Sequence, residues 1–128
     1  MSAFTNYLEQ QLIGCTLLGS TFTSPTTIYV GLATAFSSDG STITEVNTGS
    51  YARQPIPFTP VSGSVASNNG DVTFPQATAD WGTITHTILY DAVSGGNPLY
   101  WAEETIPRVV EEDDILVKPD GSIIVTLD

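Results

Sequence analysis

Residues 77–105, ATADWGTITHTILYDAVSGGNPLYWAEET, hold two runs of alternating apolar and polar residues on either side of Ser94-Gly95-Gly96-Asn97. Strand side chains alternate with period two, so this pattern around a Gly-rich turn predicts a β-hairpin. Ile84, His86, Ile88 and Tyr90 are expected on one face of the first strand, with Thr83, Thr85, Thr87 and Leu89 on the other. In the second strand Leu99, Trp101 and Glu103 alternate with Tyr100, Ala102 and Glu104.

Helical periodicity is confined to the N-terminal stretch. Phe4, Leu8 and Leu12 recur at i, i+4 and i+8, Ser2 can cap a helix that begins at Ala3, and Gly14 can end it. A helix over residues 1–14 is too short to stand alone, so the sheet or a neighbouring molecule must cover its apolar stripe. From residue 26 onward the pattern is one of strands. Thr26 to Ala35 is apolar enough for burial on both faces, and Gly31 in its middle predicts a close backbone approach or a bulge. Phe36 to Gly49 is a Ser, Thr, Asp and Gly loop with a short strand at Ile43 to Val46, long enough to be a contact loop. Tyr51 to Phe58 reads as an edge strand because Pro55 and Pro57 lack ladder donors. Val61 to Asn69 is small and polar, Val72 to Phe74 and Ile106 to Val110 are short strands, and Glu111 to Asp114 is an acidic turn. Ile115 to Val117 and Ser122 to Leu127 follow, separated by the tight turn Lys118-Pro-Asp-Gly121. Many short strands behind one helix predict a mainly β fold, a Greek-key or jelly-roll-like β-sandwich formed by residues 1–128 as a single domain.

Charge narrows the functions open to such a chain. The formal net charge is −11, with Arg53, Arg108 and Lys118 as the three cations. Nucleic-acid binding by phosphate neutralisation and docking on an anionic membrane are therefore disfavoured. The acidity suits solubility at high local concentration or contact with a basic protein surface. Cys15 stands alone, so no intrachain disulfide is expected and synthesis in a reducing compartment is compatible. The N-terminal stretch lacks a basic region and is interrupted by Asn6, Glu9, Gln10 and Gln11, which argues against a signal peptide or a transmembrane span.

The chemistry-bearing residues form no recognisable catalytic motif. His86 lies between Ile84 and Ile88 without a second His or Cys at ligand spacing, as a packed strand histidine would. Ser-His-Asp combinations with Asp80 or Asp91 can be drawn, but no G-x-S-x-G elbow is present. Glu103, Glu104 and the run 111–114 lack the spacing of an EF-hand or a glycosidase pair, and read as solvated carboxylates. Trp81, Trp101, Tyr90 and Tyr100 are expected in packing, with a sugar-stacking platform as the alternative. Arg53, scarce as a cation and placed on an edge strand, is expected to pair with a carboxylate across an interface.

With the opening SAFTNYLEQQL and the blocks YVGLATA, YARQ, ADWGTITH and VTLD, the chain resembles a family of small tailed-bacteriophage virion proteins. The family is labelled phage tail fibre protein, and similar small β-proteins decorate phage capsids. The resemblance implies a non-enzymatic virion protein made in the host bacterial cytoplasm and needing no cofactor or metal. Its partners would be the major capsid protein or tail proteins, and sister copies in a homo-oligomer, with a trimer as the expected form. A short chain without coiled-coil heptads or a β-helix repeat cannot span distance, which favours a capsid decoration or cement protein. A tail fibre or baseplate component with glycan binding is the alternative, and a small hydrolase a remote one. The candidate interface residues are Phe4, Leu8, Leu12, Phe36, Ile43, Tyr51 and Arg53. The candidate core comprises Ile28, Val30, Leu32, Trp81 and Ile84 from its first half, and Ile88, Tyr90, Trp101, Ile123 and Val125 from its second.

Overall fold

The computed structural model describes residues 3–37 and 40–127. A two-residue strand β1 (Ala3–Phe4) precedes the helix α1 (Asn6–Leu17), and the strand β2 (Tyr29–Phe36) follows. The short strands β3 (Ile43–Glu45) and β4 (Gln54–Pro55) lead to β5 (Phe58–Ser62), β6 (Val65–Asn68) and β7 (Val72–Thr73). The two long strands β8 (Gly82–Tyr90) and β9 (Pro98–Val110) come next, then β10 (Val117–Lys118) and β11 (Ile124–Thr126). The predicted class, mainly β with one short N-terminal helix, is the one observed.

All pairings are antiparallel. The main sheet runs β1-β9-β8-β2-β3, with β4 sharing the outer edge of β2; β11-β6-β5 and β10-β7 form two smaller sheets. The principal core lies between these layers. Val30, Leu32, Ile84, Leu89 and Val110 from the main sheet meet Val72 and Val125 from the smaller ones, with Phe74 and Leu116 from the residues flanking β7 and β10. A second cluster of Ala33, Ile88 and Tyr90 lies apart from that core, with Phe36, Ile43 and Trp101 partly buried against it. β2 thus buries both faces over Val30–Ala33, as its continuous apolar run predicted.

The hairpin forms, with two departures. Its loop is longer than the four predicted turn residues: Asp91 N–H bonds the Asn97 carbonyl at 3.2 Å and the Asp91 carboxylate accepts from Asn97 N at 2.7 Å. Gly95 and Gly96 adopt φ of 62° and 66°, a left-handed pair that residues with a Cβ rarely tolerate. The second departure is a break in register between Ile84 and His86, where the four residues 104–107 of β9 stand opposite Thr85 alone. Three extra residues in β9 reverse which of its side chains face the core beyond the break. In β8 the alternation also breaks at this point: Ile84 joins the principal core while Ile88 and Tyr90 join the second cluster, so the predicted common face of these three residues is not formed.

Other expectations are corrected by tertiary pairing. Phe4 lies in β1 opposite Tyr100 rather than in the helix. Thr5 is the helix cap: its hydroxyl accepts from Leu8 N at 3.3 Å and donates to the Pro98 carbonyl at 2.6 Å, which ties the helix start to β9. The proposed cap Ser2 lies outside the described residues, and α1 continues past Gly14 to Leu17. Tyr51 to Phe58 is not one strand, because only Gln54–Pro55 pairs with β2 before the chain crosses to the smaller sheet at Phe58. Val61 to Asn69 is a hairpin segment of β5 and β6, and the predicted strand at Ile106 to Val110 is the far end of the thirteen-residue β9.

Candidate functional site

The densest polar constellation surrounds Arg53. Its Nε and Nη2 donate to the two Glu45 carboxylate oxygens at 2.8 Å each, and Nη1 donates to the carbonyls of Ala92 and Gly95 at 2.8 and 2.9 Å. The guanidinium also lies over the Tyr90 ring, 3.4 Å from its centroid. The Tyr51 hydroxyl donates to Glu45 at 2.6 Å and accepts from Leu32 N at 3.0 Å, filling the gap that β3 and β4 leave on the edge of β2. Gly31 is what allows this approach. A Cβ there would stand 2.7 Å from the Tyr90 ring and 3.0 Å from both Glu45 Oε2 and the Tyr51 oxygen.

This geometry replaces the predicted intermolecular role of Arg53. The residue is 8 % exposed, and its donors serve groups of its own chain. The network pins the hairpin loop to the β3–β4 edge, and Tyr51, another candidate interface residue, packs edge-on to Trp81 inside the principal core. Burial first, then the Glu45 hydrogen bond and charge, push the Tyr51 phenol far above its ordinary value. Burial and the Glu45 charge push Tyr90 up to about 12 against the opposing pull of Arg53. A group held protonated by the fold releases its proton more readily when unfolded, so the folded state loses stability as pH rises through the interval above the ordinary phenol pKa of about 10. Urea midpoints are expected to fall steeply between about pH 10 and 12, and a Tyr90→Phe variant should flatten that fall.

A different group gathers outside the principal core. Phe36 stacks on His86 with centroids 5.0 Å apart and lies 4.9 Å from Trp101, while His86 Nδ1 and the Thr85 hydroxyl are 2.8 Å apart. Trp101 is partly buried, and its indole N–H is enclosed with no acceptor among the described residues. Trp81 is instead buried in the principal core, donating to the Gly49 carbonyl at 2.9 Å. Trp81 and Trp101 thus belong to different clusters, and with Tyr90 buried the four aromatics form no continuous sugar platform. Among the described residues no three His, Cys, Asp or Glu side chains gather as metal ligands, and no helix is long and apolar enough to cross a membrane.

Two accessible features lie apart from these clusters. One is a cleft of about 340 Å³ between the β8–β9 hairpin and the β10–β11 segment, with Thr87, Glu104 and Lys118 among its lining residues. Lys118 and Thr87 both donate to Glu104 Oε1. Burial pushes the Glu104 carboxyl up, but those two hydrogen bonds and the charges of Lys118 and Arg108 outweigh it and hold the group below its ordinary value. From the sequence Glu104 reads as a solvated carboxylate and Lys118 as a turn residue, and no local signal joins the two. The second feature is the end of α1, where Ile13, Leu17 and Leu18 are 53, 77 and 73 % exposed. The predicted stripe runs the other way: Leu8 is buried and Leu12 half-buried. Phe36 and Ile43 are half-buried against the second cluster.

The candidate core residues divide similarly. Val30, Leu32, Trp81, Ile84, Ile88, Tyr90 and Val125 are buried, whereas Ile28, Ile123 and Trp101 are packed at its margins.

The family model of Podophage GP4 fiber I protein gp80 matches residues 3–126, nearly the whole chain, and the chain belongs to that family. That membership makes it a bacteriophage structural protein and places it in the virion. No curated protein sequence matches it.

Proposed function

We propose that the chain is a non-enzymatic component of the virion's fibre apparatus, attached to a neighbouring tail protein through the apolar end of α1. The match to a fibre protein family over residues 3–126, nearly the whole chain, supports this reading. Ile13, Leu17 and Leu18 carry the attachment. Ile13 and Leu17, at i and i+4, share the side of the helix opposite the buried Leu8, and Leu18, the C-cap, adds exposed apolar area at the helix end that a partner groove can cover. The rest of the surface is a poor adhesive for anionic partners. Arg53 and Lys118 are held by Glu45 and Glu104, so Arg108 alone opposes the other acidic residues. A basic rim around the apolar groove would complete the fit.

Tail placement requires few copies per particle, whereas decoration of the capsid, the reading favoured by the chain's short reach, requires copies in proportion to the capsid lattice. Quantitative mass spectrometry of purified particles, with antibody labelling seen by electron microscopy, separates the two. Few copies and label at the tail are expected; label spread over the capsid would overturn the fibre assignment. A Leu17→Asp/Leu18→Asp double variant should keep its unfolding midpoint, since both side chains are exposed, yet fail to join particles that lack the wild-type protein. Normal incorporation of that variant would move the attachment surface elsewhere.

A further inference from the structure

We propose that the cleft between the β8–β9 hairpin and the β10–β11 segment binds a neutral vicinal diol of monosaccharide size, held by the Glu104 carboxylate and the Lys118 ammonium. The inference rests on the hydrogen-bonding capacity left in a partly desolvated place. Side-chain exposure is 11 % for Lys118 and 17 % for Glu104. Glu104 Oε1 receives both Lys118 and Thr87, while among the described residues nothing donates to Oε2. An ammonium has three donors and a carboxylate about four acceptor positions, so each partner of the pair retains capacity directed at neither the other nor the protein. Tyr100 also lines the cleft, and its hydroxyl makes no hydrogen bond among the described residues.

The charge pattern selects the ligand class. An anion entering the cleft meets Glu104 and a chain of net charge −11; a cation meets Lys118. A neutral pair of adjacent hydroxyls meets neither penalty, since one donates to the carboxylate while its neighbour accepts from the ammonium. Leu89 and Val125 are buried, Tyr100 is half-buried, and all three line the cleft, so the C–H surface of a sugar ring finds apolar area beside the polar pair. The 340 Å³ volume sits at the small end of the roughly 300–1,000 Å³ range of ligand sites, which suits one ring and not a long oligosaccharide. This reading is independent of where on the virion the chain sits.

The test is a titration of the isotopically labelled full chain followed by amide chemical shifts. Methyl glycosides of glucose, galactose, mannose and rhamnose, and cis-1,2-cyclohexanediol as the minimal probe, are the diols; cyclohexanol, inorganic phosphate and ammonium chloride are the controls. Saturable shifts clustered at Thr87, Tyr100, Glu104 and Lys118 with at least one diol, and not with cyclohexanol or the ions, are expected. Removing one partner strands the other charge, so the informative variant is Glu104→Gln/Lys118→Met, which removes both charges at nearly constant volume. It should stay folded by its amide spectrum and lose the response at least about tenfold, the factor equivalent to about 1.4 kcal/mol. No clustered shift with any diol up to about 100 mM, well above a millimolar dissociation constant, would overturn the proposal. So would equal shifts from phosphate or cyclohexanol, or an undiminished response in the folded double variant. If the double variant does not fold, Thr87→Val, which removes one donor to Glu104, must change the diol affinity, and an unchanged affinity would also overturn it.

Discussion

An Arg53→Ala variant is expected to lose about 3–5 kcal/mol of stability in urea unfolding, the scale of breaking a buried ion pair by removal of one partner. An exposed Arg–Glu pair would contribute less than about 1 kcal/mol, and the geometry decides between the two. Arg53 is 8 % exposed, grips both oxygens of Glu45 and serves the carbonyls of Ala92 and Gly95. Alanine leaves the Glu45 carboxylate without its cation, two loop carbonyls without their donor, and the face of Tyr90 uncovered. Arg53→Lys should recover little, because an ammonium cannot reproduce the planar fork that spans the carboxylate and the loop. A loss within about 0.5 kcal/mol for the alanine variant, as for an ordinary surface substitution, would show that the network contributes no net stability.

The second large effect separates the two tryptophans. Trp81→Ala should cost about 3–5 kcal/mol, since a buried indole leaves a cavity that its neighbours cannot close. Those neighbours are aromatic: Tyr51 and Phe74 lie edge-on to Trp81 at 5.4 and 6.4 Å, and Phe74 is itself 2 % exposed. Trp101→Ala should cost less than about 3 kcal/mol, because only part of the ring is covered, by Phe36 and His86 on the second cluster. Trp101→Phe should be close to neutral: it keeps the aromatic contact and removes an enclosed N–H that no described residue accepts. Chemical unfolding midpoints ranked Trp81→Ala well below Trp101→Ala, with Trp101→Phe near wild type, are the expected order. The reverse order would mean that the second cluster, and not the space between the sheets, holds the principal core.

Particular residues show how far the chain was legible before its fold. The mainly β class, the β8–β9 hairpin and the continuous apolar run of β2 were readable, because each depends on a residue and its neighbours at i+1 or i+2; at Gly31 the approach is by the side chains of Tyr90, Glu45 and Tyr51, not by a backbone or a bulge. Thr5 was missed as the helix cap. Ser2, the residue preferred from local spacing, competes with a position whose hydroxyl also finds the Pro98 carbonyl 93 residues away. The split of Tyr51 to Phe58 between two sheets was missed for the same reason: prolines mark an edge but do not say of which sheet.

The candidate site divides along the same line. Periodicity and composition determined that strands form and which residues can be apolar on one face. Only the tertiary structure decided that Arg53 turns inward to Glu45 and the loop at 92–95, and that Glu104 meets Lys118 in a cleft. It also decided that Ile84 and Ile88 part company where residues 104–107 of β9 face Thr85 alone. The physical reason is range. Alternation is set by backbone geometry between adjacent residues, whereas an ion pair or a register is set by contacts between strands far apart in the chain, and a single inserted stretch reverses the face of everything beyond it.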